Sequence, residues 1–310
     1  MKSKMHQFFF IPSAAMFVLS LAVSAVAVAK PAQVDRTVSL HHVHGLAFSA
    51  DGSRLMIPSH YGLALFENGR WRTATGPVHD YMGFSATRDT LYSSGHPAAE
   101  SKLVNPFGLI KSRDEGKSWQ NLGLEGESDF HILTTSYTTN AVYVVNNAKN
   151  SRMNHPGIHH TRNDGMKWIR AAAKGLIGQP TNLAAHPSDP NMVAAGTASG
   201  LFLSRNSGES FERLIDGTEV LSTTFDLDGK TLLFTSYPGK AALTRIALLP
   251  GSKAEALSLP DLAKDAIAYV TQNPVRRNEI AIASFKRSVF ISKDLGRSWK
   301  RIAQNGETNE

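Results

Sequence analysis

Ten of the twelve histidines of this 310-residue chain fall between His41 and His160. Imidazole is a ligand for zinc, copper, nickel and iron, and a set of neutral histidines with one or two carboxylates is a common donor set. His42 and His44 flank Val43, and Asp129 and His131 flank Phe130. On an extended strand, residues two apart point to the same face, so each pair could act on one ion or ligand. His60, His79–Asp80 and His96 lie between these pairs. Three chemistries are open. The first is a divalent transition-metal site, zinc or copper, drawn from His42, His44, His96 and His131, with His60 as a further candidate and Asp80 and Asp129 as ligands or their supports. The second is hydrolysis of a glycoside by Asp80 and Asp129, which requires two carboxylates about 5–9.5 Å apart. The third is ordinary hydrogen bonding between packed elements, the commonest role for any single histidine.

The elements that would position these residues follow from a repeat. Trp71, Trp119, Trp168, Phe211 and Trp299 sit in related settings, with steps of 48, 49, 43 and 88 residues. The last step is two periods of 44, so one copy, near residues 244–257, has lost its aromatic marker. Each period holds short β-rich runs separated by turns, of which Asn68-Gly69 is a strong hairpin signal. A period of about 45 residues with four short strands predicts an all-β chain: a six-bladed β-propeller of four-stranded antiparallel blades over residues 41–75, 80–122, 129–172, 180–215, 222–258 and 267–303. Residues 35–40 could add a strand that closes the ring; a seventh blade is the alternative. In such a ring, each blade's innermost strand begins at one face, and its second-to-third connection returns there. That indexing brings His42, His44, His60, Asp80, His96, Asp129 and His131, with His155 and His159 in a blade-three loop, to one mouth. Blades four to six contribute only His186 to the histidine count.

Four periods end in a shared turn. Ser112-x-Asp114-x-Gly116-x-x-Trp119 and Ser292-x-Asp294-x-Gly296-x-x-Trp299 match S-x-D-x-G-x-x-W; Thr161-x-Asn163-x-Gly165-x-x-Trp168 and Ser204-x-Asn206-x-Gly208-x-x-Phe211 depart by Asn for Asp and, in the last, Phe for Trp. The Asp or Asn can bond the turn backbone, and Gly supplies positive φ. The aromatic ring is expected to cover the hairpin and pack beside the next blade. These turns resemble the Asp-box (BNR) propeller superfamily, which includes sialidases, the sortilin ectodomain and photosystem II assembly factors. Stretches such as His42-Val-His44-Gly-Leu, His60-Tyr-Gly-Leu, Asp80-Tyr-Met-Gly-Phe and Ser94-Gly-His96-Pro are similar to those of exported bacterial propellers labelled glycosyl hydrolase. The resemblance spans most of residues 40–300. It implies that the box residues are structural and lie on the outer rim. A sialidase would need an arginine cluster for its substrate carboxylate. Arg113, Arg162 and Arg205 lie inside the box turns and Arg54 and Arg72 are isolated, so sialidase chemistry is not expected.

Composition sets the compartment and the partners. Lys2 and Lys4, the apolar run from Phe8 to Val28 and Ala27-Val28-Ala29 read as a cleaved signal peptide over residues 1–29, with an N-terminal anchor as the alternative. There is no cysteine, so export to a bacterial periplasm or beyond would leave the fold resting on its core. Two of the 33 basic residues lie in the leader, which leaves five more basic than acidic residues in the remainder. These are dispersed, and nothing predicts nucleic-acid binding. The expected partners are a small ligand, a metal or an envelope protein, and the expected state is a monomer without a membrane span after cleavage. An envelope assembly or interaction scaffold is the non-catalytic alternative.

Overall fold

The computed structural model describes residues 38–308. The expected signal peptide lies outside this range. Among the described residues there is no helix, and therefore none long and apolar enough to cross a membrane. The strands form six antiparallel sheets, each running outward in chain order from an innermost first strand. The sheets span Ala47–Thr73, Asp80–Asn121, Leu133–Arg170, Pro180–Asp216, Val220–Leu257 and Ile267–Thr308. Innermost strands of consecutive blades touch, and that of blade six touches that of blade one, so the sheets close a six-bladed propeller.

The core is a ring of six apolar wedges, one per blade interface. Leu40, Phe48 and Ile57 meet Ala283, Val289 and Ile302 between blades one and six. Leu63 and Leu65 meet Tyr81 and Phe107 between blades one and two. Central strands are buried on both faces, and some are built from small residues, as in Val193–Thr197 (VAAGT), which lets adjacent sheets approach closely.

The ring closes through both ends of the described chain. Glu307–Thr308 forms a fifth strand on blade six, and Ser39 bridges to Glu307 while Leu40 N donates to Gly306 O at 2.7 Å. The N-terminal segment thus joins the outer edge of blade six and makes no seventh blade.

The four box turns share one geometry. In blade two, Asp114 Oδ1 accepts from Ser118 N at 2.9 Å and from Ser112 Oγ at 2.8 Å, and Ser112 Oγ accepts from Gly116 N at 2.8 Å. Glu115 and Gly116 have φ of 61° and 83°. Asn163, Asn206 and Asp294 accept the equivalent backbone bond at 3.0, 3.0 and 2.9 Å. The aromatic ring packs against the preceding blade, contrary to the sequence expectation. Trp119 of blade two stacks 4.9 Å from Tyr81 in the wedge shared with Leu63 and Leu65 of blade one, and Trp299 Nε1 of blade six donates to Ser258 O of blade five at 2.9 Å. The ring leans this way because the turn folds the last hairpin back over the inter-blade wedge, where the uncovered apolar surface lies.

Candidate metal and ligand site

After Leu40 the chain crosses the mouth as His41–His44 and joins blade one, where His44 N donates to Pro58 O at 3.1 Å. The extended backbone places the His42 and His44 rings on one side, 5.7 Å apart with planes at 18°. His60 occupies the tight connection between Arg54–Ser59 and Gly62–Glu67. It completes a stack, 4.3 Å from His42 with planes at 3° and 4.8 Å from His44 with planes at 16°. One ligand nitrogen from each of the three rings lies within 4.8 Å of the others.

Asp80, the first residue of blade two's inner strand, faces this stack. Its Oδ1 is 3.5 Å from His44 Nε2 and its Oδ2 is 3.8 Å from His60 Nε2. His44 Nε2 and Asp80 Oδ1 are buried and have no hydrogen-bond partner among the described residues. An unsatisfied buried polar atom costs about 1–3 kcal/mol and calls for an explanation. Burial pushes the His44 pKa down to about 4, against the raising effect of Asp80 and helped by the neighbouring His60, His42 and His131. His44 is therefore neutral at physiological pH, with a nitrogen lone pair free to bind a cation.

A second group adjoins the first. Asp129 Oδ2 is 2.6 Å from His131 Nε2 and 3.1 Å from His96 Nε2. His96 Nδ1 is 2.6 Å from Asn105 Oδ1, which holds the ring. Burial works to raise the Asp129 pKa, but the hydrogen bond and charge of His131, and then those of His96, outweigh it and the net direction is down. The His131 pKa is raised, first by that same hydrogen bond. The backbone that brings blade three's Asp129 against His96 of blade two depends on Gly83. Blade two's inner strand is irregular between Met82 and Ser85, and Gly83, at φ 34°, passes so close to blade three that a Cβ would lie 1.8 Å from Phe130 O. No other residue fits there.

The residues expected at the mouth therefore assemble in two groups. His42, His44 and His60 come together beside Asp80, and His96 and His131 converge on Asp129. His60 belongs with the first group more closely than His96 or His131 does. Other histidines stay in the scaffold. His79 Nδ1 accepts from Ala98 N at 3.0 Å. His159 is not in a mouth loop: blade three's third strand already starts at Gly157, and it buries both His159 and His160. His186 takes backbone N–H bonds from Ser188 and Asp189 on Nδ1.

Below the mouth lies a cavity of about 280 Å³ lined by all six inner strands, with His44 and His131 among its lining residues and no carboxylate. Several of its polar side chains link neighbouring blades. Ser85 Oγ and Thr135 Oγ1 are 2.7 Å apart, Thr134 Oγ1 accepts from Ala185 N, and Asn182 Oδ1 accepts from Thr223 N. Lys286 and Arg287 were not among the residues expected at the mouth. Residues 285–288 form blade six's second-to-third connection, so the indexing that found His60 and His96 also pointed there.

No protein-family model matches the chain, and no curated protein matches it. Solved structures do. A GH74 enzyme from Niastella koreensis is 13% identical with a TM-score of 0.58, and the GH74 xyloglucanase from Xanthomonas campestris is 12% identical with a TM-score of 0.56; each match covers 86% of this chain and 46% of the enzyme. The chain thus spans under half the length of these enzymes. Kuenenia stuttgartiensis hydrazine synthase is 15% identical over 85% of this chain and 80% of its own, with a TM-score of 0.53. The propeller fold is what these proteins share with this one.

Proposed function

We propose that this propeller is an exported, metal-associated binding protein of the Asp-box kind, which takes its ligand at the His/Asp mouth of blades one to three. The observation that carries the reading is the stack of His42, His44 and His60, whose ligand nitrogens lie within 4.8 Å of one another beside Asp80, with His44 Nε2 and Asp80 Oδ1 left buried and unpartnered. Zinc or copper suits three imidazoles and a carboxylate, at about 2.0–2.2 Å per bond, so a small inward movement of the rings would complete the shell. His96, Asp129 and His131 form the adjoining wall. The apolar leader and the lack of cysteine support export to a bacterial periplasm or beyond.

A glycosidase reading is supported less well. Both of its carboxyls are engaged by histidines: Asp129 Oδ2 by His131 and His96, and Asp80 by the facing His44 and His60.

The test is metal analysis of protein purified without a polyhistidine tag. About one equivalent of zinc or copper is expected in the native chain, with near-complete loss in His42→Ala/His44→Ala, strong loss in His60→Ala and retention in His96→Ala. Negligible metal in the native chain after zinc and copper have both been offered would defeat the proposal.

A further inference from the structure

A second pocket opens at His42, between the His41–Val43 segment and blade six. It is a groove of about 700 Å³ lined by His41, His42, Tyr269, Phe285, Lys286 and Arg287, among others. Because His42 belongs to both, a ligand held by the metal would extend directly into this groove.

The groove carries two cationic side chains, Lys286 and Arg287. Arg287 Nη1 donates to His41 O at 3.0 Å and to Leu40 O at 3.5 Å, so its guanidinium is fixed by backbone carbonyls. Among the described residues neither Lys286 nor Arg287 forms an ion pair. Asp265, the carboxylate that meets this loop, has both oxygens on the Lys286 backbone N–H at 3.2 Å, and Oδ1 also takes Ala266 N at 2.8 Å. A guanidinium that is held in place and has spare N–H groups is a good receptor for carboxylate or phosphate. Tyr269 lines both the groove and the central cavity. Burial pushes its hydroxyl up to about 12, so it is a neutral donor. Phe285, 60% exposed beside the two cations, offers an apolar surface for a carbon skeleton.

From this arrangement we infer that the ligand is a small anion, a carboxylate or a phosphate, whose charged end sits between Lys286 and Arg287 while the metal at His42, His44 and His60 holds its other end. The second anchor rests on the metal reading; the first does not. A neutral sugar leaves both cations unanswered and is the wrong class.

Calorimetric titration of the full chain, zinc-loaded and metal-free, with succinate, inorganic phosphate and glucose separates these statements. At least one anion should bind the zinc-loaded chain and glucose should not; the anion that binds identifies the class. Lys286→Gln and Arg287→Gln should each weaken that anion by roughly tenfold, the effect of losing one charged hydrogen bond, with zinc content unchanged in Lys286→Gln. Lys286 is exposed, so Lys286→Gln should melt as the parent does; Gln is too short to reach the two carbonyls that Arg287 holds, so the affinity of Arg287→Gln is read at matched zinc occupancy. If the native chain takes up no zinc yet the metal-free form binds an anion in a Lys286- and Arg287-dependent way, the anion pocket stands and the metal reading falls. Equal anion affinity in the parent and both variants, no anion binding to either form, or glucose binding in preference would overturn the inference.

Discussion

Buried histidines give this protein a pH dependence of predictable sign. Burial lowers the pKa of His79, His159, His160 and His186, and lowers His44 furthest. A histidine whose folded pKa is depressed contributes no penalty above about 6.5, where both states are neutral. Below that, the unfolded chain takes up protons that the folded chain refuses, and stability falls with pH through the depressed value. His131 has the opposite sign: its pairing with Asp129 stabilises fully below about 6.5 and is lost as pH rises through its elevated pKa. Burial also pushes the Asp226 carboxyl up to about 6, which acts with His131; five groups against two still predict a melting temperature, for chelator-treated protein, that is lower at pH 5 than at pH 7.5. In His186→Gln the amide can replace the ring, accepting from Ser188 and Asp189 and donating to Gly229 O, so that variant should show a shallower decline. An identical decline would remove His186 from the explanation. These residues also show what could be read before the fold was known. Alternation made the His42–His44 pair visible, and blade indexing found Asp80, Asp129 and His131. His60 ranks behind them in the sequence because a lone residue in a turn carries no periodicity. The pairing of His96 with Asp129 instead of with His42 depends on how far Gly83 lets blades two and three approach, which no spacing encodes.

Among the elements, the box turns tie blades together through the residue between Asp or Asn and Gly. Glu115 of blade two forms a two-pronged ion pair with Arg54 of blade one. Asp164 of blade three accepts from Lys111 Nζ at 2.6 Å and Tyr92 OH at 2.7 Å, both in blade two. Leu295 of blade six packs on Leu233 and Leu257 of blade five. These acidic positions are similarly exposed, 35% for Asp164 and 42% for Glu115, and differ in the burial of their partners: the Lys111 side chain is 9% exposed and that of Arg54 19%. Asp164→Ala should therefore cost about 3 kcal/mol, the low end for a broken buried pair, because it strands a buried ammonium. Glu115→Ala should cost less than about 1 kcal/mol. Denaturant unfolding of the two variants measures the difference, and equal losses would show that burial does not set the strength of these ties. The turns, the hairpins and the degenerate fifth blade were all readable from residue type and spacing. The direction in which Trp119 and Trp299 lean was not, because it depends on which neighbouring wedge is uncovered. The placement of His159 was missed because blade three's connection ends at Pro156, earlier than an average repeat implies.

Closure of the ring connects the fold to the site. Each blade buries its faces only against its neighbours, so the interface between blades six and one can form only if the two ends of the chain are held together. Ser39, Leu40, Gly306 and Glu307 make that junction, and His42 follows Leu40 by two residues. Arg287 grips the carbonyls of Leu40 and His41 from blade six. The segment that closes the ring thus also fixes the first half of the histidine stack and one wall of the anion groove. Removing residues 305–310 should lower the melting temperature and, beyond that, reduce zinc uptake even well below the melting range, because His42 and His44 would lose the anchor that sets their approach to His60. Asp164→Ala is the control, since it loosens a different interface and leaves Leu40 held. The truncated chain is expected to bind zinc at least tenfold more weakly than this control, the consequence of losing even one well-placed ligand among three. Equal zinc affinity in the two variants would mean that the stack is positioned by blade one alone, and that closure serves the fold without serving the site.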